Sequence, residues 1–284
     1  MLNIVDEYSR LTDVAVCVAD HVPDPATYDG DHPEFSKYVP ARWDRRLLVA
    51  QHRRFIGTLE TLGVRVHRVP ASRKTPWQMY TRDVAFVVGA TMFFGRSRGL
   101  PDRMGEIDLA IDALEPDDVV EITAGPVEGG DVVVHDGGAF VGLGSRTSAA
   151  AAEQLGDHVA VETLHLGPDV MHLDTRMTVV SARHALVHAP SFTDRDLRRL
   201  RERFELIEVT DAECGALATN VLMVDPETVV LDRDQQRIAG RLREFGFRLL
   251  ELDYSEPIAV SGSFRCATLP LARSVAGSRP DPTS

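Results

Sequence analysis

Five amphipathic helical stretches begin near residues 42, 104, 147, 194 and 234, each separated from the next by short apolar runs. A helix recurring every roughly 40 to 60 residues with strands between is the signature of a repeated supersecondary unit. The first helix sets Trp43, Leu47, Phe55, Leu59 and Leu62 on one face and ends at Gly63. The second carries Ile107, Ile111 and Leu114 at helical spacing, and the third starts at Thr147 or Ser148 and stops before Gly156. Thr193 caps the fourth, which buries Leu197, Leu200 and Phe204. The fifth follows Asp232, buries Ile238, Leu242 and Phe245, and is closed by Gly246. Between them, residues 13–18 read as a buried strand, residues 64–69 alternate as a half-buried one, and Asp136-Gly137-Gly138 marks a hairpin. Residue identities do not repeat from unit to unit, so an ordinary mixed α/β sheet competes with a repeat architecture. No linker interrupts residues 1–276, which read as one domain. Residues 23–40 form a loop long enough to cover a site, and residues 277–284 read as a disordered tail.

Composition narrows the function. Hydrophobic content of 44% and charged content of 26% fit a soluble globular chain. A net charge of -12 argues against nucleic acid as a partner. Cys17, Cys214 and Cys266 are an odd, scattered set, which suggests neither a disulfide framework nor a zinc site. With no signal peptide and no membrane-length apolar run, a cytoplasmic protein without a membrane partner is expected.

Four stretches carry chemistry where strand runs break. Ser261-Gly262-Ser263-Phe264-Arg265-Cys266 puts a cysteine after a small-residue loop and beside a cation, which would lower its thiol pKa. A buried apolar filler is the plainer role for such a cysteine. Arg82-Asp83 follows Tyr80-Thr81 before an apolar strand; alone it reads as a surface ion pair. Glu128-Gly129-Gly130-Asp131 precedes another strand and could simply form a turn. His172 and Asp174 are spaced to share one side of an extended segment, although a lone loop histidine is commonly structural. Together they supply a thiol, a proton shuttle and several carboxylates. Convergent carboxylates suit a planar guanidinium with its fork of donors, so the set points to thiolate attack on a guanidinium carbon.

The order Tyr-Thr-Arg-Asp, Glu-Gly-Gly-Asp, Gly-x-x-Ser-Arg-Thr, His-Leu-Asp and a late Arg-Cys resembles the guanidino-group-modifying (pentein) superfamily. Arginine deiminases, dimethylarginine hydrolases and amidinotransferases make up that superfamily. The resemblance runs from Thr81 to Cys266 and implies a five-bladed α/β propeller. By the same resemblance Cys266 is the nucleophile, His172 the general acid/base, and Asp83, Asp174 and Glu128 grip the guanidinium. Arg146 matches an arginine that holds the substrate carboxylate, Arg96 or Arg98 is a candidate for a second, and Arg82 joins the substrate-binding set. No metal or cofactor is implied. Glu128-Gly129-Gly130-Asp131 with the His172/Asp174 pair favours an arginine deiminase-like amidinohydrolase giving citrulline and ammonia. A dimethylarginine hydrolase, an amidinotransferase and a non-catalytic guanidino-compound binder are the alternatives. The expected partner is a small guanidino substrate, and both a monomer and a homo-oligomer are compatible with the sequence.

Overall fold

A computed structural model describes residues 2–22, 43–75, 77–95 and 103–274. Their strands form five separate three-stranded sheets, each built the same way. In the second unit β3 (Ala85–Val88) runs antiparallel to β4 (Thr91–Gly95), α2 (Met104–Leu114) crosses over, and β5 (Val119–Ile122) pairs parallel to β4. The third repeats this with β6 (Val132–His135), β7 (Gly138–Leu143), α3 (Ala149–Gly156) and β8 (Val161–His165). The fourth uses β9 (Met177–Val179), β10 (His184–Val187), α4 (Asp194–Arg203) and β11 (Glu205–Glu208). After the short α5 (Asp211–Gly215), the fifth uses β12 (Leu222–Asp225), β13 (Thr228–Asp232), α6 (Gln236–Glu244) and β14 (Arg248–Leu252).

The first unit joins the two ends of the described chain. β1 (Arg10–Cys17) pairs parallel to β2 (Arg65–Val69) across α1 (Arg45–Thr61), and takes its antiparallel neighbour from β15 (Leu269–Ser274). Closure therefore depends on the last described strand, which follows the short α7 (Ser255–Ala259) and the cysteine loop. The expected five-bladed α/β propeller is the architecture found. Crossover helices make each unit a parallel βαβ pair, so its strands are buried on both faces and read as continuous apolar runs. Val132, Val133 and Val134, for example, are all buried.

The helices start close to where periodicity puts them, and their caps explain why. Ser148 and Thr193 accept the backbone N–H of Ala151 and Asp196, satisfying donors that a first turn leaves open. One face differs from expectation. Leu47 is 41% exposed, while α1 buries Leu48, Gln51, His52, Phe55, Ile56 and Leu59. Gln51 and His52 take the inner positions because partners await them. His52 bridges the Tyr254 hydroxyl and the Cys17 carbonyl, each at 2.7 Å, and Gln51 donates to Asp253 at 2.7 Å. A binary apolar pattern cannot see hydrogen-bonded core positions of this kind. The expected lid over residues 23–40 and the expected tail at 277–284 lie outside the described residues. Among the described residues no helix is long and apolar enough to cross a membrane.

Candidate active site

Each blade enters its first strand through a tight turn, and these turns carry the reactive side chains. Thr81–Asp83, Gly129–Asp131 and Leu173–Thr175 are single 3-10 turns before β3, β6 and β9. Asn220 and Cys266 stand just before β12 and β15. Five separate segments thus bring polar groups to one end of the ring.

Close approach of these turns needs glycine. A Cβ on Gly130 would lie 2.6 Å from the His172 ring, and one on Gly262 would lie 2.0 Å from the Tyr80 ring. Tyr80 in turn donates its hydroxyl to the Pro257 carbonyl at 3.0 Å, holding the loop that leads to the cysteine.

His172 and Glu128 form a short contact, with Nε2 donating to Oε2 at 2.6 Å. The other ring nitrogen, Nδ1, lies 3.8 Å from Asp83 Oδ1. Burial opposes a charged ring here, but Asp83 and Glu128 outweigh it and hold the His172 pKa up to about 10. His172 is therefore an imidazolium at neutral pH. The extended segment expected for His172 and Asp174 is instead a turn with His172 at its start. His172 consequently faces Glu128 while Asp174 faces the cysteine.

Cys266 is buried, and its thiol donates to Asp174 Oδ2 at 3.9 Å. Its amide donates to Asn220 Oδ1 at 3.2 Å, and its carbonyl accepts from the Arg82 amide at 3.1 Å. The expectation that Arg265 lowers the thiol pKa is overturned. Burial, then Asp174 and Asp83, push it well above the ordinary thiol value. Arg265 gives its charge elsewhere: Nη1 sits 2.5 Å from Glu7 Oε2 and Nε 3.3 Å from Asp174 Oδ2.

The two aspartates are held alike. Asp83 Oδ2 is tied by Nη1 of Arg103 at 2.5 Å, and Asp174 Oδ2 faces Arg265. The second oxygen of each, Asp83 Oδ1 and Asp174 Oδ1, is buried with no hydrogen-bond partner among the described residues. Burial raises the Asp174 pKa against the pull of Arg265, His172 and Arg82, and Asp83 adds to it. Asp131 is turned to a structural bond, accepting the Leu173 amide at 2.9 Å, and burial pushes its pKa up to about 7.

Arg146 is not at the rim of the site but buried in it, with Nη1 3.3 Å from Glu128 Oε1. Arg82 is buried with Nη1 3.9 Å from Glu7 Oε1. Arg96 and Arg98 lie outside the described residues. Sequence reading missed Arg103, Asn220 and Glu7. Only Asn220 left a usable signal, since it precedes its blade's first strand by two residues, as Asp83 does. Among the described residues no group of three or more His, Cys, Asp or Glu side chains is arranged to hold a metal ion.

The chain is similar to several known proteins. The family model for eukaryotic N,N dimethylarginine dimethylhydrolase matches residues 34–273. A Bacillus subtilis protein of uncharacterised function, YkgA, is 30% identical over 275 residues, covering 94% of each chain. The N(G),N(G)-dimethylarginine dimethylaminohydrolase of Pseudomonas aeruginosa is 25% identical over 77% of this chain and 86% of its own. Among solved structures, the product-bound N-terminal domain of ArgZ, a cyanobacterial arginine dihydrolase, superposes with a TM-score of 0.80. It covers 92% of this chain and 97% of that domain at 20% identity, a likeness of fold.

Proposed function

This chain belongs to the dimethylarginine dimethylhydrolase family of the guanidino-group-modifying superfamily, and we propose that it hydrolyses the guanidino group of arginine or an Nω-methylated arginine. The family match favours the dimethylarginine hydrolase branch over the arginine deiminase branch that the motifs alone put first. The observation that carries the reading is the pair of buried carboxylate oxygens on Asp83 and Asp174, unpartnered among the described residues, beside a buried thiol. Unpaired buried acceptors are costly, and a planar cation with several N–H donors satisfies both.

Binding such a cation changes the thiol. Asp174 and Asp83 add to burial in holding Cys266 protonated, and a guanidinium between them cancels that contribution. Thiolate formation is then coupled to substrate binding, the thiol proton leaving to solvent as the cation enters. The thiolate attacks the guanidinium carbon, and His172 gives its proton to the departing amine. With Nε2 engaged by Glu128, Nδ1 is the nitrogen for that transfer. An S-alkylthiouronium remains on Cys266. Water then attacks, neutral His172 accepts its proton, and the C–S bond breaks to leave a ureido product and a free thiol. Arg146 orients Glu128 and meets the α-carboxylate of the substrate.

A second reading concerns the nitrogen that leaves. Asp174 Oδ1 accepts an N–H from unsubstituted arginine, whereas a doubly methylated nitrogen has none to give. That oxygen favours arginine itself as a substrate alongside methylated forms. Incubating the protein with arginine, Nω-methylarginine, Nω,Nω-dimethylarginine and agmatine, and assaying ammonia, methylamines and ureido product, tests both readings. Amine release from an arginine-type member is expected. A folded protein that releases amine from none would end the proposal, and one using only the dimethylated compound would end the second reading.

A further inference from the structure

Arg103 lies outside every residue set discussed for the reaction, yet it is one of the most heavily engaged side chains near the site. It stands immediately before α2, and its guanidinium is buried. Nη1 donates to Asp83 Oδ2 at 2.5 Å, while Nε and Nη2 donate to Glu106 Oε2 at 3.0 and 2.8 Å. Nη2 also donates to the carbonyls of Tyr80 at 2.8 Å and Trp77 at 3.3 Å. Arg103 therefore holds the turn that delivers Asp83 at its backbone as well as at its carboxylate.

We propose that Arg103 is a positioning residue for guanidinium binding, tying down Asp83 Oδ2 so that Oδ1 alone is presented to the substrate cation, with Glu106 fixing Arg103 from behind. This rests on the hydrolase reading above and extends it. The geometry gives the tie a purpose beyond packing. Asp83 Oδ1 lies 3.8 Å from His172 Nδ1, just beyond a hydrogen bond. Both groups are buried and opposite in charge, so Asp83 released from Arg103 closes on His172. That closure uses the oxygen meant for substrate and the nitrogen meant for proton transfer together. Arg103 keeps them apart.

Glu106 explains how one cation serves two masters without neutralising Asp83. Glu106 is buried, takes two of the donors on one oxygen, and leaves Oε1 without a partner among the described residues. Burial raises its pKa to about 7 against the pull of Arg103. The other ionisable groups facing this set include Asp83 and Glu128, with Cys17 near Glu106, Tyr80 near Arg103 and His172 near Asp83. A planar fork spanning two carboxylates and two carbonyls is a geometry lysine cannot reproduce.

The test uses binding, so that it does not depend on turnover. In a Cys266→Ser background, calorimetry compares arginine, which carries the cation, with citrulline, which carries a neutral ureido group in its place. The variants added are Arg103→Lys and the charge-neutral pair Arg103→Gln with Glu106→Gln, each first checked for a cooperative melt. The pair avoids leaving two unpaired buried carboxylates, so it serves if Arg103→Lys fails to fold. Losing a hydrogen-bonded partner of the clamp weakens arginine binding by at least about tenfold. Citrulline binding is expected to move by less than about threefold, because a neutral group draws little from a displaced carboxylate. Equal weakening of both ligands would reduce Arg103 to a structural role and overturn the inference. Unchanged arginine binding in a folded variant would overturn it as well. Failure of both arginine and Nω,Nω-dimethylarginine, titrated alongside it, to bind the Cys266→Ser protein would instead refute the clamp and the hydrolase reading with it.

Discussion

Arg265 and Cys266 are neighbours in the chain, yet their side chains serve two buried clusters of opposite excess charge. Arg265, Arg82 and Arg273 gather around Glu7, which is tied to both terminal nitrogens of Arg265 and accepts the Val134 amide at 3.1 Å. The guanidiniums also reach inner-strand carbonyls: Arg265 meets Val132 at 2.9 Å and Arg273 meets Met223 at 3.0 Å. Burial disfavours the Glu7 charge, but Arg265 and Arg82 outweigh it and lower its pKa to about 2. Around Cys266 the excess is negative. Asp83 and Asp174 each leave an oxygen unpartnered, and the thiol stays protonated. The first cluster is rich in cations: Nε and Nη2 of Arg82 and of Arg273, and Nε of Arg265, find no hydrogen-bond partner among the described residues, and a further cation is repelled there. The second, on the proposed function, is completed by a cation from outside, which separates a structural charge network from a binding site.

Exchanging the properties of the clusters by mutation breaks the comparison. The largest effect is expected for Cys266→Ser, which removes the sulfur that forms the intermediate: turnover falls by more than about a thousandfold while the melting curve is kept. Cys17→Ser is expected to leave chemistry alone. Asp174→Asn keeps the shape of the clamp but removes charge, so kcat/KM falls by at least about tenfold. Because burial raises the Asp174 pKa, its charge is a burden to the fold, and Tm should hold or rise. Glu7→Gln should do the reverse, costing about 3–5 kcal/mol of stability by leaving buried guanidiniums unpaired. Parallel melts and assays of these two variants decide the matter, and a swap of the outcomes would contradict the division drawn here.

Acid unfolding sharpens it further. The Glu7 pKa is lowered from 4.5 to about 2, so its contribution is fully present above pH 4.5 and is lost as pH falls toward 2. Denaturant titrations of parent and Glu7→Gln should therefore differ most above pH 4.5 and converge near pH 2. His172 has the opposite sign. Its pKa is raised from 6.5 to about 10, so its contribution is present below pH 6.5 and fades as pH rises toward 10. The smallest effect is expected at the far end of the substrate. Arg146→Ala should narrow the kcat/KM preference for arginine over agmatine by about tenfold, since agmatine lacks the carboxylate Arg146 would hold.

Much of the blade pattern was legible because the crossover helices carry apolar stripes that one sequence displays, and some also a side-chain cap, as at Thr193 and Ser148. The candidate site residues were legible only as a set, since Glu128-Gly129-Gly130-Asp131 alone could form a turn and Cys266 alone a core filler. What escaped were the residues that hold these in place. Arg103 precedes an amphipathic helix and reads as a solvent-facing charge, and Glu7 lies in an N-terminal stretch with no periodicity. Their partners are distant in sequence: Arg265 is bonded to Glu7 across 258 positions. Arg265 also shows why adjacency misleads, since the pull of a neighbouring cation is outweighed where burial and two aspartates hold the thiol protonated.

Trapping the intermediate tests the thiol chemistry most directly. The protein is mixed with arginine and with Nω-methylated arginine, quenched in acid during turnover, digested, and examined by mass spectrometry. The expected result is a peptide bearing Cys266 with the added mass of substrate less its departing amine, absent from Cys266→Ser and from the Cys17 and Cys214 peptides. Turnover proceeding through quenches at all times with Cys266 unmodified, or with the adduct on another residue, would contradict it.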